Sequence, residues 1–294
     1  MTIGLASYRR MFAEEIAAIA NIRTPSLVEA LATVPRERFL DPGPWLVRSE
    51  ADLFAGPRPT PDDDPRRVYH NYSIAIDPSR QLFNGVPSLL ASSIDRLALE
   101  SGSRVLHVGS GLGYYTALIA QTVGPGGRVL GIEVDAGLSA RARANLADLR
   151  WVELRTGDAT GLFNETFDAI LVNAGVTHVL QTWLDALADG GRLLFPLTAP
   201  MPPTGVIGKG VQILLTKRPD GAADAVVVNF VAIYSAIGLR DASLDSQIAQ
   251  AFSRSPFPRL TERRVDPHEA DNTCWLHAAD WCLSARPLSS GAVH

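Results

Sequence analysis

The chain has 294 residues, 46% hydrophobic and 20% charged, with a formal net charge of −4. That balance suits a globular protein with a filled core, in one large domain or two ordinary ones, and its slight acidity speaks against a general nucleic-acid binder, which would carry a basic stripe. Two cysteines, Cys274 and Cys282, build no disulfide framework and fit no zinc spacing, which points to a reducing, cytoplasmic setting, and no run of about 18 uncharged apolar residues offers a membrane span.

Residues 5 to 40 carry apolar positions at helical spacing. Met1 to Ala20, with Arg9, Arg10, Glu14 and Glu15 among them, reads as an amphipathic helix and not a signal peptide. Thr24 is placed as N-cap of a second helix opened by Pro25. Asp41 to Pro65 is dense in proline and reads as a surface loop, with the Asp62-Asp63-Asp64 triplet solvated. Pro87 to Glu100 reads as a helix, Val105 to Val108 as a strand, and a helix follows Gly113. A strand runs from Arg128 to Glu133, a helix from Ser139 to Leu149, and a short strand from Trp151 to Arg155. Phe167 to Val172 is a strand, Val179 to Leu187 a helix, and Gly190-Gly191 a turn into the strand Arg192 to Phe195. Strands alternating with helices predict an α/β fold, a doubly wound Rossmann-like parallel sheet with its ligand at the carboxyl ends of the strands. Val211–Lys217 and Ala225–Ser235, around the turn Pro219-Asp220-Gly221, predict an antiparallel pair. Leu244 to Leu283 mixes a helix with a segment carrying Trp275 and Trp281. The predicted division is an N-terminal region 1–76, a core 77–219 and an extension 220–294.

The chemistry concentrates after the first core strand, in Gly109-Ser110-Gly111-Leu112-Gly113. Glu133 stands twenty residues beyond Gly113, at the end of the next strand, placed to bind a ribose hydroxyl pair. A dinucleotide turn needs its third glycine five residues after the first, where this chain has Tyr114, and no Gly-Lys-Ser/Thr follows to make a P-loop. A turn without the pyrophosphate pattern suits S-adenosylmethionine, which has a ribose and an adenine but no phosphate. Asp158 follows the third strand, where its carboxylate can accept the adenine amino group while Ala159 donates a backbone N–H. Asn173 ends the fourth. Among the histidines, His107 reads as a core residue in mid-strand. His70 and His178 are placed beside the predicted cleft, and His277 near the two cysteines matches no known metal-ligand spacing. Tyr69, Tyr72 and Phe83 offer either an aromatic wall for the acceptor or core packing.

At these residues the chain resembles the protein-L-isoaspartate (D-aspartate) O-methyltransferases. The resemblance rests on Val34-Pro35-Arg36-Glu37-Arg38-Phe39, Val105 to Ala120, Gly157-Asp158, Phe167 to Ala174 and Leu187 to Pro196. It implies a methyltransferase of carboxylates on a peptide or protein, with cofactor contacts at Gly109, Ser110, Gly111, Gly113, Glu133 and Asp158. His107, Val134, Ala159 and Asn173 complete the candidate cofactor set, and no residue is assigned to a metal. The family carries a Gly-Gln-Thr-Ile-Ser-Gln-Pro-like loop before the first core helix, with the serine at its active site. Aligned on the proline, this chain reads Gln81-Leu82-Phe83-Asn84-Gly85-Val86-Pro87, with Gly85 at the serine position and Phe83 at the threonine position. The segment Phe83-Asn84-Gly85 is expected to close over the methyl-transfer site, together with Asn173, and to alter substrate selectivity. Gly85 is also expected to hold a backbone conformation closed to serine. Two alternatives stand beside this reading: an O- or N-methyltransferase of a small molecule or biosynthetic peptide, and a catalytically silent cofactor-binding adaptor.

Overall fold

The computed structural model describes residues 4–49, 55–201 and 206–287. The chain folds into two compact units, Met1–Val105 with Ser110–Gly157, and Leu106–Gly109 with Asp158–His294.

The first unit opens with helices α1 (Leu5–Ala20) and α2 (Pro25–Thr33). Thr24 precedes α2 as expected, but its side chain makes no capping bond. Instead the backbone N–H groups of Arg23 and Thr24 donate to Asp95 Oδ1 at 3.0 and 2.9 Å. The proline-rich segment is not simply a loop. Strands β1 (Leu46–Arg48), β2 (Arg58–Pro59), β3 (Ser73–Asp77) and β4 (Leu82–Phe83) form a four-stranded sheet in the order β2-β1-β3-β4. Pairing with β3, a distant segment, decides this, and local composition does not report it. The acidic triplet is also more than solvated: Asp64 caps a 3₁₀ turn through the Arg66 N–H and pairs with its guanidinium, and Asp62 takes two bonds from Arg67.

Helix α3 (Pro87–Arg96) ends four residues earlier than predicted, and its first turn is served by Asn71, whose Oδ1 accepts the Ser88 N–H at 3.0 Å. Strand β5 (Arg104–Val108) passes from the first unit to the second after Val105. In the first unit the strand order continues β5-β6-β7, with β6 (Arg128–Glu133) and β7 (Val152–Thr156) parallel. Helix α4 (Tyr114–Val123) lies between α2 and β6 and buries every side chain except that of Gln121. An apolar surface all round is what a helix covered on both sides requires. Helix α5 (Ala136–Asn145) packs on β6 and β7, and Asp135 caps it through the Leu138 N–H.

In the second unit the order is β13-β14-β12-β11-β10-β9-β8-β5. Strand β8 (Phe167–Val172) runs parallel to β9 (Leu187–Pro200), with α6 (Gln181–Ala186) between them in sequence. Gly190-Gly191 is not a turn before a strand. Both glycines lie within β9, in an outpouching where Phe167 opposes Leu187 and Ala169 opposes Arg192, and Gly190 takes φ +75° there. Strands β10 (Ile207–Lys217) and β11 (Ala223–Tyr234) form the predicted hairpin, so the boundary expected at 219/220 falls in its turn. Helix α7 (Ala242–Arg254) packs on β9. The short antiparallel strands β12 (Glu262–Arg264), β13 (Cys274–His277) and β14 (Cys282–Ser284) complete the sheet. The parallel strands with intervening helices make this the expected Rossmann-like α/β architecture, extended by antiparallel strands. Among the described residues no helix is long and apolar enough to cross a membrane.

Candidate cofactor and methyl-transfer residues

Three of the candidate glycines adopt left-handed backbone: Gly109 at φ +81°, Gly111 at +55° and Gly113 at +91°. Side chains other than glycine's are strained there, which accounts for the Gly-x-Gly-x-Gly spacing. Glu133 fixes the turn. Its Oε2 accepts the Gly111 N–H at 2.7 Å and its Oε1 the Asp135 N–H at 3.0 Å, so one carboxylate ties the loop after β5 to the start of α5. Only 7% of Glu133 is exposed, and bonds from backbone N–H groups to a buried anion are among the stronger ones. Ser110 is buried as well, and its Oγ has no hydrogen-bond partner. Val134, an apolar residue directly after Glu133, is 40% exposed. Tyr114, at the position of the missing third glycine, turns into the core. Its ring packs edge-on against Phe39 and Tyr115 and lies under the Arg36 guanidinium, and burial pushes its phenol up to about 12.

The segment expected to close over the transferred methyl is anchored at each of its three residues. Asn84 holds both backbone groups of Ile74: its N–H donates to the Ile74 carbonyl at 2.9 Å and its Oδ1 accepts the Ile74 N–H at 2.8 Å. The Tyr115 hydroxyl donates to the Gly85 carbonyl at 2.6 Å, and Phe83 is buried beneath the Arg48 guanidinium, 4.5 Å from its ring centroid. The reason for glycine at position 85 also differs from expectation. Its φ is not left-handed; a Cβ there would stand 2.2 Å from Cδ2 of Leu90, which is buried. Tyr69, Tyr72 and Phe83 do not form one wall. Tyr69 packs edge-on against Phe12, Tyr72 lies beside His70 and donates its hydroxyl to the Arg67 carbonyl, and Phe83 pairs with Arg48.

In the second unit Asp158 is exposed and accepts both the N–H and the hydroxyl of Thr160, at 3.1 and 2.8 Å, bonds that hold its carboxyl below the usual range. Ala159 takes φ +59°, uncommon for a residue with a side chain, and its carbonyl accepts the indole N–H of the fully buried Trp183 at 3.0 Å. The backbone of Gly238 approaches Asp158 closely enough that a Cβ would stand 3.6 Å from Oδ2. Asn173 donates its N–H to the Val108 carbonyl at 2.8 Å, and a Cβ on Gly109 would stand 3.2 Å from the Asn173 carbonyl oxygen. His107 is completely buried, so its side chain offers no surface to a ligand. Burial lowers its imidazole to about 4, and its side chain packs as a core residue. His178 bonds Thr177 through Nδ1 at 3.0 Å, and partial burial lowers its pKa.

The residue that sequence reading passed over is Arg36. It is fully buried, donates to the carbonyls of Val68, His70 and Tyr72 at 2.7, 3.0 and 2.9 Å, and lies over the rings of Phe12 and Tyr114. The signal was the Val-Pro-Arg-x-x-Phe motif itself, in which Arg36 gathers the 68–72 segment and Phe39 packs on Tyr114.

The glycine turn, held by the Glu133 carboxylate and lacking the third glycine of a pyrophosphate site, suits a ligand with a sugar diol and no phosphate. Comparison with known proteins agrees. Residues 61–204 match the family model described as protein-L-isoaspartate(D-aspartate) O-methyltransferase. A protein-L-isoaspartate O-methyltransferase of Methylorubrum populi is 34% identical over 239 residues, which cover 79% of this chain and 97% of that protein. One from Anaeromyxobacter sp. is 32% identical over 231 residues, covering 75% and 93%. Among solved structures, a Plasmodium falciparum protein described as a putative protein-L-isoaspartate O-methyltransferase, in complex with S-adenosyl-L-homocysteine, superposes with a TM-score of 0.58. It is 18% identical, over 78% of this chain and 98% of that one, a likeness of fold.

Proposed function

The chain belongs to the protein-L-isoaspartate(D-aspartate) O-methyltransferase family and is an S-adenosylmethionine-dependent methyltransferase, and from that premise we propose that its acceptor is a carboxylate on a peptide or protein, with selectivity altered from that of the isoaspartyl enzymes. The observation that carries this reading is the family match over residues 61–204, which contains the Gly109–Gly113 turn clasped by Glu133. In the proposal Glu133 accepts the ribose hydroxyls, Asp158 the adenine amino group, and Val134 covers the adenine face.

The cofactor supplies an electrophilic methyl on a sulfonium. A carboxylate acceptor is ionised at neutral pH and is already a nucleophile, so the protein need supply only approach and in-line alignment. That fits residues whose work is positional: Asn84 and Tyr115 fix the 83–85 segment, and Asn173 stands at the end of β8. The altered selectivity rests on this segment, because the hydroxyl expected at position 85 is replaced by a glycine packed against Leu90.

The test is transfer of labelled methyl from S-adenosylmethionine to an isoaspartyl peptide, to its aspartyl counterpart and to protein extract, beside an isoaspartyl methyltransferase as control. A base-labile methyl ester on a peptide or protein supports the proposal, with weaker turnover of the isoaspartyl peptide than the control. A base-stable product would instead indicate an N- or ether-type acceptor. Turnover equal to the control would remove the altered selectivity.

A further inference from the structure

The chain's only two cysteines and two of its six histidines meet in the C-terminal strands. The donor atoms of His268, Cys274, His277 and Cys282 all lie within 4.8 Å of one another, outside the 61–204 segment that the family model matches. From this cluster we propose that these four side chains bind a structural zinc ion.

The backbone explains how they converge. In a strand, residues three apart point to opposite faces, so Cys274 and His277 should diverge. The pairing of β13 with β14 is irregular at that point: Cys274 opposes Ser284, Leu276 opposes Leu283 and His277 opposes Cys282, leaving Trp275 as an extra residue. The bulge returns Cys274 and His277 to one face, and Cys282 lies directly opposite His277 on that face. His268 reaches the same place from the loop before β13.

The donor set and its surroundings suit a metal. Tetrahedral zinc with bonds of about 2.0–2.3 Å needs ligand atoms about 3.3–3.8 Å apart. Cys274 Sγ and His268 Nε2 are 3.5 Å apart, and the group as a whole needs to contract by only about 1 Å. The His268 Nδ1–H donates to the Asp266 carbonyl at 2.7 Å, which holds the ring with Nε2 toward Cys274. That outer bond is the usual companion of a metal-bound histidine. His277 Nδ1 is buried without a hydrogen-bond partner, an arrangement that otherwise costs free energy. The Asp271 N–H donates to Cys274 Sγ at 3.4 Å, an outer contact that orients the sulfur toward the other three donors. Two thiolates and two neutral imidazoles balance the charge of Zn²⁺, with two thiol protons released on binding. Sulfur and imidazole donors in this number select zinc, and four protein ligands close the coordination sphere, so the ion would be structural and not catalytic. It would tie the loop before β13 to β13 and β14, where the sheet is shortest.

The test uses the full chain, purified under reductant without chelator. Elemental analysis should give about one zinc per chain. Chain prepared without zinc and titrated with Co²⁺ should show the visible bands of tetrahedral cobalt and a thiolate-to-cobalt charge-transfer band, both abolished by competing Zn²⁺. Cys282→Ser and His268→Gln should each lower bound zinc at least about tenfold at a fixed free zinc level. Absence of zinc from the wild-type chain together with absence of the cobalt charge-transfer band would overturn the site, and so would a Cys274–Cys282 disulfide under reductant. Because the cobalt spectrum is read on the wild-type chain, the outcome stands even if a variant fails to fold. It is also independent of the methyl acceptor.

Discussion

Replacing Glu133 separates its structural role from its proposed role in the cofactor site. Glu133→Ala removes the acceptor of two backbone N–H groups, at 2.7 and 3.0 Å, from a carboxylate that is 7% exposed. Hydrogen bonds to a charged group are worth about 1.5–3 kcal/mol each. Water entering the vacated volume recovers part of that, so the net loss of stability is about 2–4 kcal/mol, a fall in Tm of roughly 3–7 °C for a chain of this size. Glu133→Gln is the sharper probe. Its single carbonyl can serve Gly111 or Asp135 but not both, and its NH₂ then faces the other N–H donor, so it should be destabilised despite its nearly identical shape. Affinity for S-adenosylhomocysteine, measured by calorimetry, should fall at least about tenfold in both variants, which corresponds to about 1.4 kcal/mol. Unchanged Tm in both variants would refute the clasp. A lowered Tm with unchanged affinity would keep the clasp and remove Glu133 from the ribose site.

Gly85→Ser, which adds the hydroxyl that the proposal takes as missing, should not raise isoaspartyl methylation. The new Cβ meets buried Leu90 at 2.2 Å, an overpacking that should cost about 1–3 kcal/mol in urea unfolding, and Leu90→Ala in the same chain should recover most of it; a fully stable single variant would contradict the steric account. His107 should make stability fall on acidification. Its folded pKa, about 4, lies below the unfolded value of about 6.5, so the unfolded chain binds the extra proton between those values. Stability should drop by about 2 kcal/mol from pH 7 to pH 5 and level off below pH 4, and His107→Gln should flatten that slope in denaturant titrations. An equal slope in the variant would assign the effect elsewhere.

The sequence alone determined the features that depend on local chemistry. Period-2 and helical patterns gave the β5-α4-β6 unit, left-handed glycines marked the turn at 109–113, and the acid at the end of β6 was legible because strand ends and glycine turns have fixed spacing. The β10–β11 hairpin was legible from Pro219-Asp220-Gly221 for the same reason. Tertiary structure decided whatever depended on a partner far along the chain. Arg36 looks like any surface arginine until three carbonyls from residues 68–72 surround it. Strand β1 pairs with the distant β3 as well as with β2, and the need for glycine at position 85 is set by the packing of Leu90. The pinned loop at 83–85 needed Ile74 and Tyr115 to be seen. The four donors at 268–282 match no familiar spacing because a single extra residue, Trp275, turns Cys274 onto the face of His277. One inserted residue reverses the facing of every side chain beyond it, and only the strand paired alongside reveals where that reversal occurs.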